Sequence, residues 1–221
     1  VKELSFYVPI VISFLAFVSY SLVWKKIEPH EKLIGIYIGI GFAFEIIARV
    51  WTYYGNNLPG LHLYTLLQFV ILAGFYQGLY KILGFNFPNR SYLIVGVVVI
   101  VLNSLFVQSI FIFNSNSKVG VELLIMIQAI SIYILLLRNQ DYEVSSLKPS
   151  VTFVTAILLN ASVSIIFHLY SNQVMKMDLI LANKLWKIRA LLNALTQVFF
   201  IFACYQIHSR SKYQKALSTI S

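Results

Sequence analysis

Seven stretches of this chain are each long and apolar enough to cross a lipid bilayer, and they leave little else to fold. A helix needs about 20 mostly apolar residues to span the hydrocarbon core. Runs of that kind lie near 5–24, 33–54, 61–84, 92–113, 117–137, 151–170 and 183–207. Within hydrocarbon every backbone N–H and C=O must be satisfied by protein, which restricts spanning structures to helices and closed barrels. Runs of this length predict an all-α fold, a seven-transmembrane-helix bundle forming a single polytopic membrane domain over residues 1–221. Charge agrees, because 11% of the residues are charged and 59% hydrophobic, whereas a soluble domain carries about 25% charged residues. A water-soluble globule, a disordered tail and a collagen-like repeat are excluded. The connections are too short for a soluble catalytic or DNA-binding domain, so the formal charge of +9 points to a membrane surface and not to nucleic acid.

The first run exceeds the apolar core of a signal peptide, about 7–15 residues. It ends in Ser21-Leu22-Val23-Trp24-Lys25-Lys26, a stop-transfer pattern. Cys204 is the one cysteine, so no intrachain disulfide forms and the redox compartment is not fixed by it.

Lysine and arginine accumulate in cytoplasmic loops. Loops 1, 3 and 5 and the tail hold Lys25, Lys26, Lys32, Lys81, Arg90, Arg138, Lys148, Arg210, Lys212 and Lys215. The opposite side holds Lys2, Lys118, Lys176, Lys184 and Lys187. This bias predicts the N-terminus outside and the C-terminus cytoplasmic. Trp24, Trp51 and Trp186 fall at span ends, where amphipathic rings favour the headgroup zone. On the outer side, Lys176, Lys184, Lys187 and Arg189 cluster around the last loop and the start of span 7. Two readings stay open: side chains reaching for headgroups, or a basic mouth for an anionic ligand.

Residues at i, i+4 and i+8 share one helical face. Span 6 carries Asn160, Ser164 and His168 at that spacing, and span 7 carries Arg189, Asn193 and Gln197. Span 2 carries Gly41, Glu45 and Arg49, and span 3 places Tyr64 one turn before Gln68. With the predicted orientation, all four stripes run from mid-membrane to the outer surface. A charged residue at the bilayer centre costs about 2.5–3.5 kcal/mol on insertion scales, so Glu45 and Arg49 should face the bundle. Four polar stripes at one depth predict a shared, outward-facing cavity. The competing reading is a closed polar lock, with Glu45 bridging Arg49 and Arg189 simply to hold the helices.

In the inner half, Gly35 and Gly39 of span 2 and Gly74 and Gly78 of span 3 form G-x-x-x-G pairs that allow close helix approach. They predict spans 2 and 3 pressed together there, with self-association into a homo-oligomer as the alternative use. The stretch Tyr53-Tyr54-Gly55-Asn56-Asn57-Leu58-Pro59-Gly60 predicts a tight turn, with a ligand-facing lid above His62 as the other reading.

Catalytic signatures are missing. His62, His168, Glu45 and Asp178 are the residues nearest to a metal set, but no H-E-x-x-H, His pair at i, i+4 or Cys pair occurs. There is no G-x-S-x-G segment and no phosphate-cradling glycine loop. Ser162, Ser164 and Thr152 suit hydroxyls bonded to the preceding helical turn. His30 and His208 read as cytoplasmic and solvated. No catalytic residue, metal or cofactor is therefore expected.

A faint internal repeat aligns Leu66, Gln68, Tyr76 and Gln77 with Leu195, Gln197, Tyr205 and Gln206. It fits a three-plus-one-plus-three plan in which spans 1–3 and 5–7 run in the same direction. The topology is similar to that of rhodopsins, G-protein-coupled receptors and sugar transporters built on that plan. Rhodopsins hold retinal on a lysine deep in span 7, whereas Lys184 and Lys187 sit near its start; the transporters hinge on mid-helix prolines, whereas Pro9, Pro29, Pro59, Pro88 and Pro149 lie at span ends or in loops. The run Asn56-Asn57-Leu58-Pro59-Gly60-Leu61-His62-Leu63-Tyr64-Thr65 resembles segments of uncharacterised bacterial seven-helix integral membrane proteins. That resemblance implies a bacterial inner (plasma) membrane and no activity.

The leading expectation is a sensor or receptor-like protein that binds a small polar or anionic ligand from outside and signals through a cytoplasmic protein partner. Arg189 and Arg49 would hold the anion, Asn160, Asn193, Gln68 and His168 would orient it, and Glu45 would be the internal counter-charge. Transport through the same cavity is the alternative class. An intramembrane lipid-modifying enzyme using His62, His168 and Glu45 ranks third. Membrane lipid is the one partner common to all three.

Overall fold

The computed structural model describes residues 4–55, 58–138, 144–174 and 179–218. They form α1 (Leu4–Val23), α2 (Pro29–Tyr54), α3 (Leu58–Ile82), α4 (Asn89–Leu102), α5 (Ser115–Arg138), α6 (Val144–Val174) and α7 (Leu179–Ser218). A 3₁₀ turn at Trp24–Lys26 prolongs α1, and a π-helical segment at Asn103–Val107 prolongs α4. Among the described residues there is no strand, and seven helical stretches are long and apolar enough to cross a membrane.

The helix ends follow local chemistry. Helix α2 starts earlier than its apolar run because Glu28 and Glu31 form a capping box and Pro29 occupies the first turn. Both features satisfy or remove backbone donors that the first turn leaves open. Helix α3 closes with Gly84 at φ +68°, where Gly84 N–H reaches Lys81 O at 3.2 Å and Phe85 N–H reaches Tyr80 O at 2.8 Å. This paired pattern needs a left-handed residue, which glycine supplies without steric cost. The fourth apolar run stops being helical after Val107, although Ile110–Phe113 are as apolar as the helix before them. Gln108 takes over: its side-chain amide donates to Phe113 O at 2.7 Å and Ser115 Oγ at 3.0 Å, and its Oε1 accepts from Asn116 N at 3.1 Å. These bonds cap the start of α5 and go with burial of Gln108, Phe113 and Asn114, while Ile110–Ile112 stay exposed. Helix α6 begins at Val144, so Pro149 lies inside its first turns and not in a loop.

Six helices form a ring in the cyclic order α1, α2, α3, α5, α6, α7, with α7 closing on α1. Helix α4 stands outside the ring against α3 and touches α5 only lightly. Its outward side chains, including Ile94, Val95, Val98, Val99, Leu105 and Phe106, are exposed as expected of a lipid-facing surface.

The half of the bundle that carries the α1–α2 connection is densely packed. Phe153 of α6 sits at its centre, with ring centroids 6.1 Å from Tyr20, 6.5 Å from Phe75 and 5.7 Å from Phe200. Both glycine pairs lie in this half but do not face one another. A Cβ on Gly35 would run into Tyr20, and one on Gly39 would touch Phe17 at 3.5 Å, so this pair receives α1. A Cβ on Gly78 would run into His30, and one on Gly74 would meet Leu33 at 3.0 Å, so the α3 pair receives α2. The expected α2–α3 contact is present, but α3 alone supplies its small residues.

Candidate functional site

The opposite half of the ring opens into a cavity of about 460 Å³. Its wall takes residues from the N-terminal halves of α1, α3, α5 and α7, the middle and C-terminal part of α2, the C-terminal half of α6, and Phe113 and Asn114 just before α5; α4 contributes none. The volume falls in the range of about 300–1,000 Å³ common for small-molecule sites.

Of the residues expected to bind ligand, Glu45, Asn160, His168, Arg189 and Asn193 line this cavity. The i, i+4 spacing on α6 and α7 sets Asn160, Ser164 and His168 on one wall and Arg189, Asn193 and Gln197 on the adjoining one. Arg49 and Gln68 stand behind the wall. Arg49 Nη2 donates to Glu45 Oε1 at 2.7 Å, and Gln68 donates through Nε2 to Glu122 Oε1 at 3.4 Å. Gln68 Oε1 accepts from Lys118 Nζ.

Helix α5 supplies the principal residues that the stripes on the other spans did not announce. Asn114, just before α5, and Lys118 and Glu122 within it recur at the same i, i+4, i+8 spacing, and all three line the cavity. They are buried, and Lys118 Nζ lies 3.0 Å from Glu122 Oε1 and 5.3 Å from the Tyr64 ring centre. Tyr37 and Tyr64 add phenol groups to the wall, and Phe44 packs on Tyr64 at 5.3 Å. Burial of Lys118 and Glu122 together fits the rule that a buried charge needs a partner. With Arg49 behind the wall, the cations Arg49, Lys118 and Arg189 outnumber the carboxylates Glu45 and Glu122 in this region.

His168 is held by its own helix. A carbonyl oxygen only accepts, so the 2.6 Å contact between Nδ1 and Ser164 O places the proton on Nδ1. Any contact with a ligand then falls to Nε2. Phe113 stacks on the imidazole at 5.6 Å, bringing the end of the loop before α5 against α6. Arg189 lies over the Phe167 ring at 5.4 Å and within electrostatic reach of Glu122 and Glu45. The expected polar lock had Glu45 bridging two arginines; the contact present is the Glu45–Arg49 pair, four residues apart on α2.

His62 is a buried tie and not part of the wall. Its Nδ1 lies 2.9 Å from Ser104 Oγ and its Nε2 3.3 Å from Ile112 O, linking α3 to the segment after α4. Among the described residues no three of His, Cys, Asp and Glu come together as a metal set. Asn56, Asn57, Lys176 and Asp178, which entered the turn, mouth and metal readings, lie outside the described residues.

A second polar cluster seals the opposite end. Glu31 is fully buried at the start of α2, with Oε2 accepting from Arg210 Nη2 at 2.8 Å and from Glu28 N at 3.1 Å. Its Oε1 accepts from Ser150 Oγ at 2.9 Å and Arg210 Nη1 at 3.3 Å. His30 joins through Ser150 at 3.0 Å and is buried, contrary to its reading as a solvated histidine. Nearby, Lys26 Nζ donates to His208 Nδ1 at 2.9 Å. Helices α2, α6 and α7 are thereby tied where the α1–α2 connection emerges.

No family model, curated protein or solved structure matches this chain. Its chemistry rests on the geometry above.

Proposed function

We propose that the protein is an integral membrane sensor of a bacterial inner membrane, binding a small polar or anionic ligand in the cavity between α2 and α7. The observation that carries this reading is convergence. Polar groups from α2, α5, α6 and α7, with Tyr64 and Thr65 of α3, meet around one cavity inside a hydrocarbon-embedded ring. Ionisable groups at membrane depth are costly and ordinarily serve a pathway, relay or ligand. Positive charge bias in the α1–α2, α3–α4 and α5–α6 connections supports a cavity mouth on the outside. Arg189 is the anion-facing group, Asn160, Asn193 and His168 orient the ligand, and Lys118 and Glu122 join Glu45 as the charges that respond to it. The packed aromatic layer around Phe153 and the Glu31–Arg210 cluster close the way inward. Binding is then reported by movement of α7, whose C-terminal turns carry Arg210 and the basic tail towards a cytoplasmic partner.

Native mass spectrometry of the detergent-purified protein tests this. Wild type retains a small polar or anionic species and Arg189→Ala loses it. An empty wild-type protein, with Arg189→Ala merely less stable, overturns the reading and leaves the polar groups as a structural lock.

A second reading, transport, has its own support. Exchanging α1, α2 and α3 with α5, α6 and α7 maps the ring of helix contacts onto itself, as a two-repeat transporter requires. In that case the Glu31–Arg210 cluster is the inner gate. Uptake of the retained species into proteoliposomes, abolished by Arg189→Ala, favours transport; binding without uptake favours the sensor.

A further inference from the structure

Two buried carbonyl oxygens on the cavity wall have no hydrogen-bond partner among the described residues: Asn114 Oδ1 and Gln197 Oε1. Asn114 is 3% exposed and Gln197 8%. The orientation of the Asn114 amide is fixed by its neighbour. Thr65 Oγ1 spends its single proton on Leu61 O at 2.9 Å, so it accepts from Asn114 Nδ2 at 3.1 Å. Turning the amide over would set Oδ1 against a hydroxyl with no proton to give. Oδ1 is therefore held as an acceptor at the cavity wall. A buried acceptor left without a donor is unfavourable, and here both such groups look onto a space large enough for a small molecule.

Resting on the ligand-binding reading above, we infer that the ligand is a small zwitterion of the α-amino-acid class. Its carboxylate faces Arg189 and its ammonium is taken by an unpartnered acceptor of the wall, Asn114 Oδ1 first, on a wall that also carries Glu45 and Glu122. Three features of the wall require both charges on one molecule. The surplus of cations over carboxylates around the cavity selects an anionic group. The fixed Asn114 acceptor and the Glu122 carboxylate select a donor, and a charged donor gives the stronger bond. Aromatic rings at Tyr37 and Phe44 on the wall favour an ammonium over a neutral donor, because ring quadrupoles attract cations. A simple anion would leave Asn114 Oδ1 unsatisfied; a simple amine would meet Arg189 and Lys118 with like charge.

Matched probes separate these possibilities. L-alanine, L-lactate and propionate share a three-carbon acid and differ in carrying ammonium, hydroxyl or hydrogen on the α-carbon. L-phenylalanine, L-phenyllactate and 3-phenylpropionate repeat the series with a larger side chain. Calorimetric titration of the purified protein is expected to show the amino acid of at least one series binding about tenfold or more tighter than its two partners. Asn114→Ala removes that preference while the acid itself still binds. Gln197→Leu serves the same purpose should Asn114→Ala fail to fold. If the des-amino acid binds as tightly as the amino acid, the zwitterion assignment fails and the anion-binding site stands. If the hydroxy acid matches the amino acid, a donor is needed but the ammonium assignment fails. If none of the six probes binds and mass spectrometry finds wild type empty, the site reading fails as well.

Discussion

Arg210 grips both carboxylate oxygens of Glu31 across 179 residues of sequence, with Nη2 at 2.8 Å from Oε2 and Nη1 at 3.3 Å from Oε1. The same carboxylate completes the capping box of α2 and accepts from Ser150, so three helices share one negative charge. Removing one member of a buried pair leaves an uncompensated charge, at a cost of about 3–5 kcal/mol. Arg210→Ala is therefore expected to lower the thermal midpoint in detergent sharply. Glu31→Leu with Arg210→Met should recover most of that loss, the remainder being the capping bond. A double variant as unstable as Arg210→Ala alone would show that the pair does more than neutralise itself.

Two glycines on different helices should respond to the same substitution with opposite sign. A Cβ at Gly78 would run into His30, so Gly78→Ala forces α2 away from α3. Overpacking of this kind costs about 1–3 kcal/mol. A Cβ at Gly120, inside α5, would meet nothing within 4 Å. Gly120→Ala there gains roughly 0.5–1 kcal/mol from helix preference. Comparing the two melting curves checks both values at once.

Access to the cavity is measurable with thiol chemistry. Cys204 is buried at 2% exposure, and Cys204→Ala supplies a background without cysteine. In that background Asn193→Cys should react with a membrane-impermeant maleimide applied from outside intact cells. Ile207→Cys, fully buried in the sealed half, should not. Labelling of Asn193→Cys only from the cytoplasmic side of inverted vesicles would reverse the proposed orientation.

Phe153 is the keystone of the closed half and has no exposed surface. Phe153→Ala should cost about 3–5 kcal/mol through the cavity it leaves. It also removes the ring between Tyr20, Phe75 and Phe200, so under the transport reading it should make reconstituted vesicles leaky to the retained ligand. Stable vesicles that stay tight would place the barrier at Glu31–Arg210 instead.

The seven spans were legible because apolar length is a property of the chain alone. The stripes on α2, α6 and α7 were legible because period 3.6 places Glu45, Asn160, His168, Arg189 and Asn193 on inward faces without knowledge of neighbours. The α5 stripe has the same spacing, yet Lys118 sits close enough to a span end to be taken for a loop charge, and Asn114 precedes the helix. Its place on the wall depends on Gln108 tying Phe113, Ser115 and Asn116 at the helix start, bonds between side chain and loop that no periodicity reports. Glu31 was hidden in the same way: E-P-H-E announces a helix start, but not that Arg210 and Ser150 will arrive from α7 and α6. Nor does sequence reveal that α4 lies outside the ring. Lipid and helix interiors are both apolar, so a span facing lipid on most sides reads like one inside the bundle.

The passage of α4 between two helix triplets decides which way the second triplet runs. A polypeptide that crosses a membrane three times ends on the far side, and a second triplet attached directly would enter upside down. One additional crossing restores the starting side, so α5–α7 repeat the direction of α1–α3. The two triplets then bring their polar halves to one end of the ring. Helix α4 gives the wall no side chain, yet the parity of its passage gathers both polar halves at one end, where a chain without it would have divided them between two.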